Sequence, residues 1–287
     1  MDNDVDLVKI DQKKLDIVNK DEESVRQFIR QQRADGILIE NCVNVKKLYT
    51  LAQKLKPFKT QHELIRLGPA HDGGYLVPND FEGITACYSP GVEDRAYFEE
   101  ALKNKFNIKS HLADFSVNGP PQGFEALSFT KKYLSCHNLG DSMTMEQWVL
   151  KSQNFDEFLN GEFILQMDIE GAEYEALLAT PDYILERFRI IVMEIHWLNN
   201  WAKSCYYDIA DGFLNKLLQH FIVVHVHPNN GGALMNFSGF EIPAAVEVTF
   251  LRKDRCKFIS ENRNIPHELD SPNNPERPDY DLPWGFR

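Results

Sequence analysis

Apolar residues in this chain fall into short runs that end on polar or acidic residues. Most runs are followed by a stretch in which apolar positions recur every three or four residues. Phe163-Ile-Leu-Gln-Met is such a run: it ends on Asp168, Gly171 follows, and Ala172–Ala179 carries the helical spacing. The same pattern predicts strands over Ile84–Ser89, Ile108–Phe115, Tyr133–Asn138, Phe163–Asp168, Ile190–His196, Phe221–His227 and Ala245–Arg252. Helices are predicted over Ala96–Lys105, from Ser142 onward with Thr144 as cap, over Ala172–Ala179 and over Tyr207–His220. Strands alternating with helices predict an α/β fold, a doubly wound and mostly parallel sheet with helices on both faces. No helical segment separates the last two strands, so the C-terminal strand is expected to pair antiparallel.

The flanks read differently. Asp21 is placed to cap a helix over Glu22–Gln32, and Asn44 to cap one over Val45–Leu55 that Pro57 stops. Residues 1–60 are therefore expected to be a helical N-terminal extension serving as a packing, lid or homodimer element. Residues 61–260 are the α/β domain. Residues 261–287, rich in Pro and Asn, are expected to form an irregular tail pinned by Trp284 and Phe286.

Composition narrows the function. The formal charge of -12 disfavours non-specific binding to nucleic acid, which needs a basic face. No apolar run is long enough to span a bilayer, and the acidic start Met1-Asp-Asn-Asp is no secretory signal. Five scattered cysteines without a CxxC pair read as reduced thiols, which points to a cytoplasmic setting.

The candidate chemistry lies at the strand ends, the edge where open α/β sheets bind ligands. Pro90-Gly91 after the first strand is equally a plain structural turn or a place where a ligand approaches the backbone, with Glu93 beside it and the helix from Ala96 offering free N–H groups to an anion. Asp114, at the end of the second strand, is either a generic strand-end acid or the residue that holds a ribose hydroxyl pair. The missing GxGxxG pattern points away from NAD and toward a cofactor with adenosine but no pyrophosphate. Asp141 and Ser142 serve equally as helix-start residues or as adenine neighbours. Asp168 ends a buried strand, where an unpaired charge is costly, so it needs a cation, a network or a metal ion. Glu194 and His196 share one face of their strand. With Asp168 they could hold a divalent cation such as Mg2+; His196 could instead be a general base, or all three could form a paired polar network. His225 and His227 likewise alternate onto one face, and Asn229 and Asn230 turn out of the strand behind them. Asp72-Gly73-Gly74-Tyr75 reads as a hairpin turn.

Taken together, these pieces resemble the FkbM-type methyltransferases. Asp168-Ile-Glu-Gly-Ala-Glu173 is similar to that family's signature. So are Asp72-Gly-Gly-Tyr75, Ser89-Pro-Gly-Val-Glu-Asp94, Ser142-Met-Thr-Met-Glu-Gln-Trp148, Glu194-Ile-His196, His225-Val-His-Pro-Asn-Asn230 and Val246-Glu-Val-Thr-Phe250, in the family's order over roughly residues 62–255. The resemblance implies a class I, Rossmann-like fold and O-methyl transfer from S-adenosylmethionine (SAM) to a sugar or other small hydroxylated acceptor. It implies SAM over Gly91 and Glu93, its ribose on Asp114, its adenine along Asp141, Ser142 and Met143, and its methionine part under Asp72, Gly73, Gly74 and Tyr75. Asp168, Glu194 and His196 fit a cation clamp on the acceptor, and His227 fits the base, with Asp168 and His196 able to exchange roles with it. Glu170, His225, Asn229 and Asn230 are the expected acceptor contacts. Two other readings use the same residues: a metal-dependent hydrolase at this strand edge, and a non-catalytic protein that binds a glycan or a partner.

Overall fold

A computed structural model describes residues 22–37, 39–260, 265–280 and 282. Asp21, Trp284 and Phe286 lie outside the described residues. The chain divides into two units, residues 1–42 and 43–287. The first holds the amphipathic helix α1 (Glu22–Ala34). The second contains, in order, α2 (Val45–Ala52), β1 (Leu64–Leu67), β2 (Tyr75–Pro78), β3 (Ile84–Pro90), α3 (Tyr97–Phe106), β4 (Lys109–Ala113) and β5 (Ser128–Thr130). There follow β6 (Tyr133–Leu134), β7 (Ser142–Met143), α4 (Met145–Ser152), α5 (Phe155–Asn160), β8 (Glu162–Met167), α6 (Glu173–Ala179), α7 (Asp182–Leu185) and β9 (Phe188–Ile195). Last come α8 (Ser204–His220), β10 (Phe221–Pro228), β11 (Leu234–Phe237), β12 (Phe240–Pro243) and β13 (Val246–Arg252).

Seven strands form one mixed sheet in the order β10-β13-β9-β8-β3-β4-β5. The pairs β9/β8, β8/β3, β3/β4 and β4/β5 are parallel; β13 runs antiparallel to both its neighbours, as expected. Side chains along each strand alternate between two apolar clusters. On β8, Phe163, Leu165 and Met167 join one while Ile164 joins the other. The larger cluster also takes Trp148 of α4 and Phe213 and Leu217 of α8; the smaller takes Phe98 and Leu102 of α3 and the β1–β2 hairpin residues Leu67, Tyr75 and Val77. Tyr88 anchors the larger cluster, its ring meeting Trp148, Phe163 and Phe188 edge-on at 5.1, 5.3 and 5.8 Å. The helix capped by Asn44, whose side chain accepts from Lys47 N at 3.0 Å, belongs to this second unit and buries Leu48, Leu51 and Ala52.

Two local expectations need correction. The third strand of the sheet is Ser128–Thr130, not Tyr133–Asn138. Leu127 N donates to Ser110 O at 2.7 Å and Asp114 N to Thr130 O at 3.1 Å, so β5 extends β4, while β6 and β7 form a separate ribbon. Between β10 and β13 a hairpin, β11–β12, goes unforeseen in the apolar pattern. Its turn places Ser238 and Gly239 at positive φ (51° and 83°), and Asn236 accepts from Gly239 N at 3.0 Å.

The two ends of the sheet are electrostatically unlike. At the end where β8 and β9 begin, buried Arg189 meets Asp80 at 3.3 Å and Glu162, and Arg252 also reaches Glu162. Arg255 holds Asp80 at 2.8 Å. Burial alone would raise the Asp80 carboxyl, but Arg255 and Arg189 hold it below its ordinary range. At the opposite end, Asp168, Glu173, Glu194 and Glu247 have no Arg or Lys ion pair among the described residues.

Candidate functional site

A cavity of about 660 Å³ opens where β3, β4 and β8 deliver Gly91, Asp114 and Asp168. Gly91 has φ 81°, and a Cβ there would lie 1.6 Å from Asp168 O. The glycine is thus required for the β3 loop to touch the end of β8, and it also lines the cavity. Asp114 is buried and accepts from Glu93 N at 2.8 Å and from Ser116 N and Oγ at 2.7 and 2.6 Å. A carboxylate has about four acceptor sites, which leaves room for a hydroxyl donor.

Asp72, Gly73 and Tyr75 line the cavity. Gly74 does not: its Cβ position is filled by Pro69 O at 1.9 Å, and its carbonyl accepts from Arg66 at 2.6 Å. Ser142 lines the wall, beside Tyr133 and Leu134. Asp141 is exposed and offers its backbone carbonyl to Tyr133 N, whereas Met143 is buried in the larger core cluster and is not part of the cavity wall.

Beside this cavity His196 stands among four carboxylates. Its Nδ1 lies 3.1 Å from Glu173 Oε1, and its Nε2 lies 3.5 Å from Glu170, 3.7 Å from Asp168 and 3.8 Å from Glu194. A carboxylate only accepts, so Nδ1 carries the proton toward Glu173 and Nε2 faces the other three. Glu173, wholly buried, also accepts from Ile169 N at 3.1 Å and Gly171 N at 3.2 Å, which shapes the turn after β8. Tyr174 donates to His196 O at 2.7 Å, and Trp201 Nε1 donates to Tyr174 at 2.9 Å, which fixes the histidine from behind. Asp168 Oδ1 and Glu173 Oε2 are buried with no hydrogen-bond partner among the described residues. Burial, then the charges of Glu170, Glu173 and Asp72, push the Asp168 carboxyl up to about 7, although His196 opposes them. Burial would lower His196, but the bond to Glu173 and the charges of Glu194, Glu173 and Asp168 outweigh it, raising the imidazole to about 9. Asp168, Glu173 and His196 each offer an atom within 4.8 Å of the others. Glu194 is turned toward the same histidine by Asn229, which donates to it at 2.6 Å.

The histidines of β10 are placed differently from expectation. Glu194, Glu247 and His227 lie side by side on β9, β13 and β10. His227, however, is buried against Asp279 at 3.0 Å and Glu247 at 3.7 Å. Burial would lower its pKa, yet those two carboxylates raise it to about 10. An imidazole held charged cannot accept a proton at neutral pH, and His227 is not in the cavity wall. His225, expected to bind acceptor, is buried against Asp270 at 2.8 Å. Asn230 is spent on backbone carbonyls of Asn274, Arg277 and Pro278. These residues fasten a strap, residues 265–280, across the end of β10; Asn273 of that strap donates to Glu247 at 2.5 Å. Glu170 keeps its place at the rim, its side chain 83 % exposed.

Three polar residues went unanticipated: Ser89, Glu99 and Gln166. Glu99 sits with Phe98 and Leu102 on the buried face of α3. An acid in line with an apolar stripe was the available signal.

No curated protein matches the chain. The methyltransferase FkbM domain matches residues 61–231, the stretch that builds the cavity, the turn after β8 and the His196 cluster. Because that match takes in more than half of the sequence, the chain belongs to the FkbM methyltransferase family.

Proposed function

We propose that this chain is a SAM-dependent O-methyltransferase acting on a hydroxyl of a sugar or another small hydroxylated acceptor, on a doubly wound sheet with helices on both faces. The observation that carries the reading is one cavity running from Asp114 and Ser142 to Asp168, beside the His196 cluster. Asp114 would take the ribose hydroxyls, Ser142 would border the adenine, and Asp72, Gly73 and Tyr75 would enclose the methionine part. SAM supplies an activated methyl on a sulfonium, so what is left to the protein is alignment and removal of the acceptor proton. Asp168 lines the cavity with its carboxyl raised to about 7, and takes that proton. Charged His196 stabilises the surrounding carboxylates and holds the turn through Glu173. Glu170, at the rim, and Asn229, through Glu194, belong to the acceptor side.

A second reading adds a divalent cation to the same cluster. Asp168, Glu194 and His196 Nε2 would hold it, with Glu173 on the other imidazole nitrogen, a common arrangement at metal-bound histidines. It would lower the pKa of an acceptor hydroxyl. The test of the main reading is titration calorimetry with S-adenosylhomocysteine. Binding at micromolar concentration is expected, and folded protein that binds none at high micromolar concentration refutes it.

A further inference from the structure

Glu99 is the one acid of α3 that faces inward, and it lines the cavity while only 3 % exposed. No basic side chain forms an ion pair with it among the described residues. Its polar neighbours are Ser89 at the end of β3 and, through Ser89, Gln166 of β8; Ser89 Oγ lies 2.5 Å from Gln166 Oε1. Ser89 has one proton. It serves both neighbours in one of two ways: Glu99 as the neutral acid donates to Ser89 while Ser89 donates to Gln166, or the Gln166 amide turns its NH2 to Ser89 while Ser89 donates to an ionised Glu99. Burial does hold the Glu99 carboxyl above its ordinary range, with the Ser89 bond opposing it. Arg95 and Lys132 line the same cavity but neither pairs with Glu99, and a carboxyl buried in a cavity wall without an ion pair leaves a place for a cationic group of the ligand.

Topology says which group. β4 and β8 flank β3 on opposite sides. Asp114 follows β4, whereas Gln166 lies on β8. A ligand whose ribose rests on Asp114 and which crosses the tip of β3 must bring its other end to Glu99 and Gln166. We infer that Glu99, with Ser89 and Gln166 behind it, receives the α-ammonium group of the methionine part of the cofactor. This rests on the SAM reading above. On binding, the neutral acid gives its proton to solvent and the carboxylate pairs with the incoming ammonium. The titratable groups around it include the Cys87 thiol on β3 and, in the wall of the same cavity, Asp72, Glu93, Arg95, Asp114, Lys132, His137, Asp168, Glu170 and Glu175.

The experiment is calorimetry with two probes on wild type and Glu99→Gln, in buffers of different ionisation enthalpy, between about pH 5 and 8. S-adenosylhomocysteine carries the ammonium; 5′-methylthioadenosine lacks the whole amino-acid end. Wild type is expected to release protons on binding S-adenosylhomocysteine. Glu99→Gln should lose that release and bind it about 10- to 100-fold more weakly, the usual loss when a charged hydrogen bond is removed. Both proteins should bind 5′-methylthioadenosine within about 3-fold of each other, which also shows that the variant is folded. Unchanged affinity and proton release in Glu99→Gln overturn the assignment, as does equal weakening toward both probes. If wild type binds neither probe, the SAM reading itself falls, a result distinct from the other two.

Discussion

Raising the pH should loosen the strap across β10 through a single imidazole. His227 is 2 % exposed, and Asp279 and Glu247 raise its pKa from 6.5 to about 10. The folded chain therefore keeps this proton over a pH range in which the unfolded chain has lost it. Its stabilising contribution is whole below the unfolded value of about 6.5 and disappears as pH rises through about 10. Each pH unit between costs about 1.4 kcal/mol, which amounts to roughly 4–5 kcal/mol over the window. Urea denaturation of wild type and His227→Gln at half-unit steps across that window isolates the effect, since other titrating groups are common to both. Near pH 6 the variant should be about 3–5 kcal/mol less stable, because two carboxylates lose their buried partner. The gap should narrow steadily toward alkaline pH. A gap that stays constant with pH would show that His227 is not charged in the fold, and would refute the account of the strap.

Asp114→Ala should weaken S-adenosylhomocysteine by about 10-fold or more while circular dichroism stays native, since its three accepted bonds lie in a loop and not in the core. His196→Gln should leave that affinity in place and slow methyl transfer by about 100-fold or more; comparison with and without a chelator would show whether a cation shares the role. Gly171→Ala should cost about 2–4 kcal/mol, read as a lowered urea midpoint, because strain at a positive φ and overpacking add. The underlying geometry is a φ of 104° and a Cβ position 2.4 Å from the Trp197 ring. Arg189→Met should cost about 3–5 kcal/mol by stripping a buried cation from Asp80 and Glu162, yet leave cofactor affinity unchanged because it acts at the far end of the sheet.

The parallel strands were legible because buried strands such as β8 and β9 are built on apolar runs, Phe163-Ile-Leu and Ile190-Ile-Val-Met, and the acids near their ends stand out against that background. Asp114 and Asp168 could be placed on one edge from this alone. β5 and β6 could not be told apart, since Ser128-Phe-Thr and Tyr133-Leu are too short for periodicity to choose between them. The polar face of β10 looked like a site for the same reason that β9 did. What separates them is the partner: His196 faces a cavity edge, whereas His227 faces Asp279, some fifty positions away in the chain. Nothing within β10 announces a strap that folds back from beyond β13. Glu99 does not stand out in the sequence because an acid near a helix start already suits the helix dipole, and that role alone accounts for it.

β13 is made after every other strand of the main sheet, yet it lies inside the sheet, wedged between β9 and β10. During synthesis, β9 therefore keeps a bare edge, and β10 has no neighbour, until residues 246–252 leave the ribosome. The Asp114 pocket can form early, while the row joining Glu194 to Glu247 waits for the last insertion. Bare strand edges are where nascent chains stick to one another. The interval before this one segment slots home is the time over which those edges stay open to such contacts.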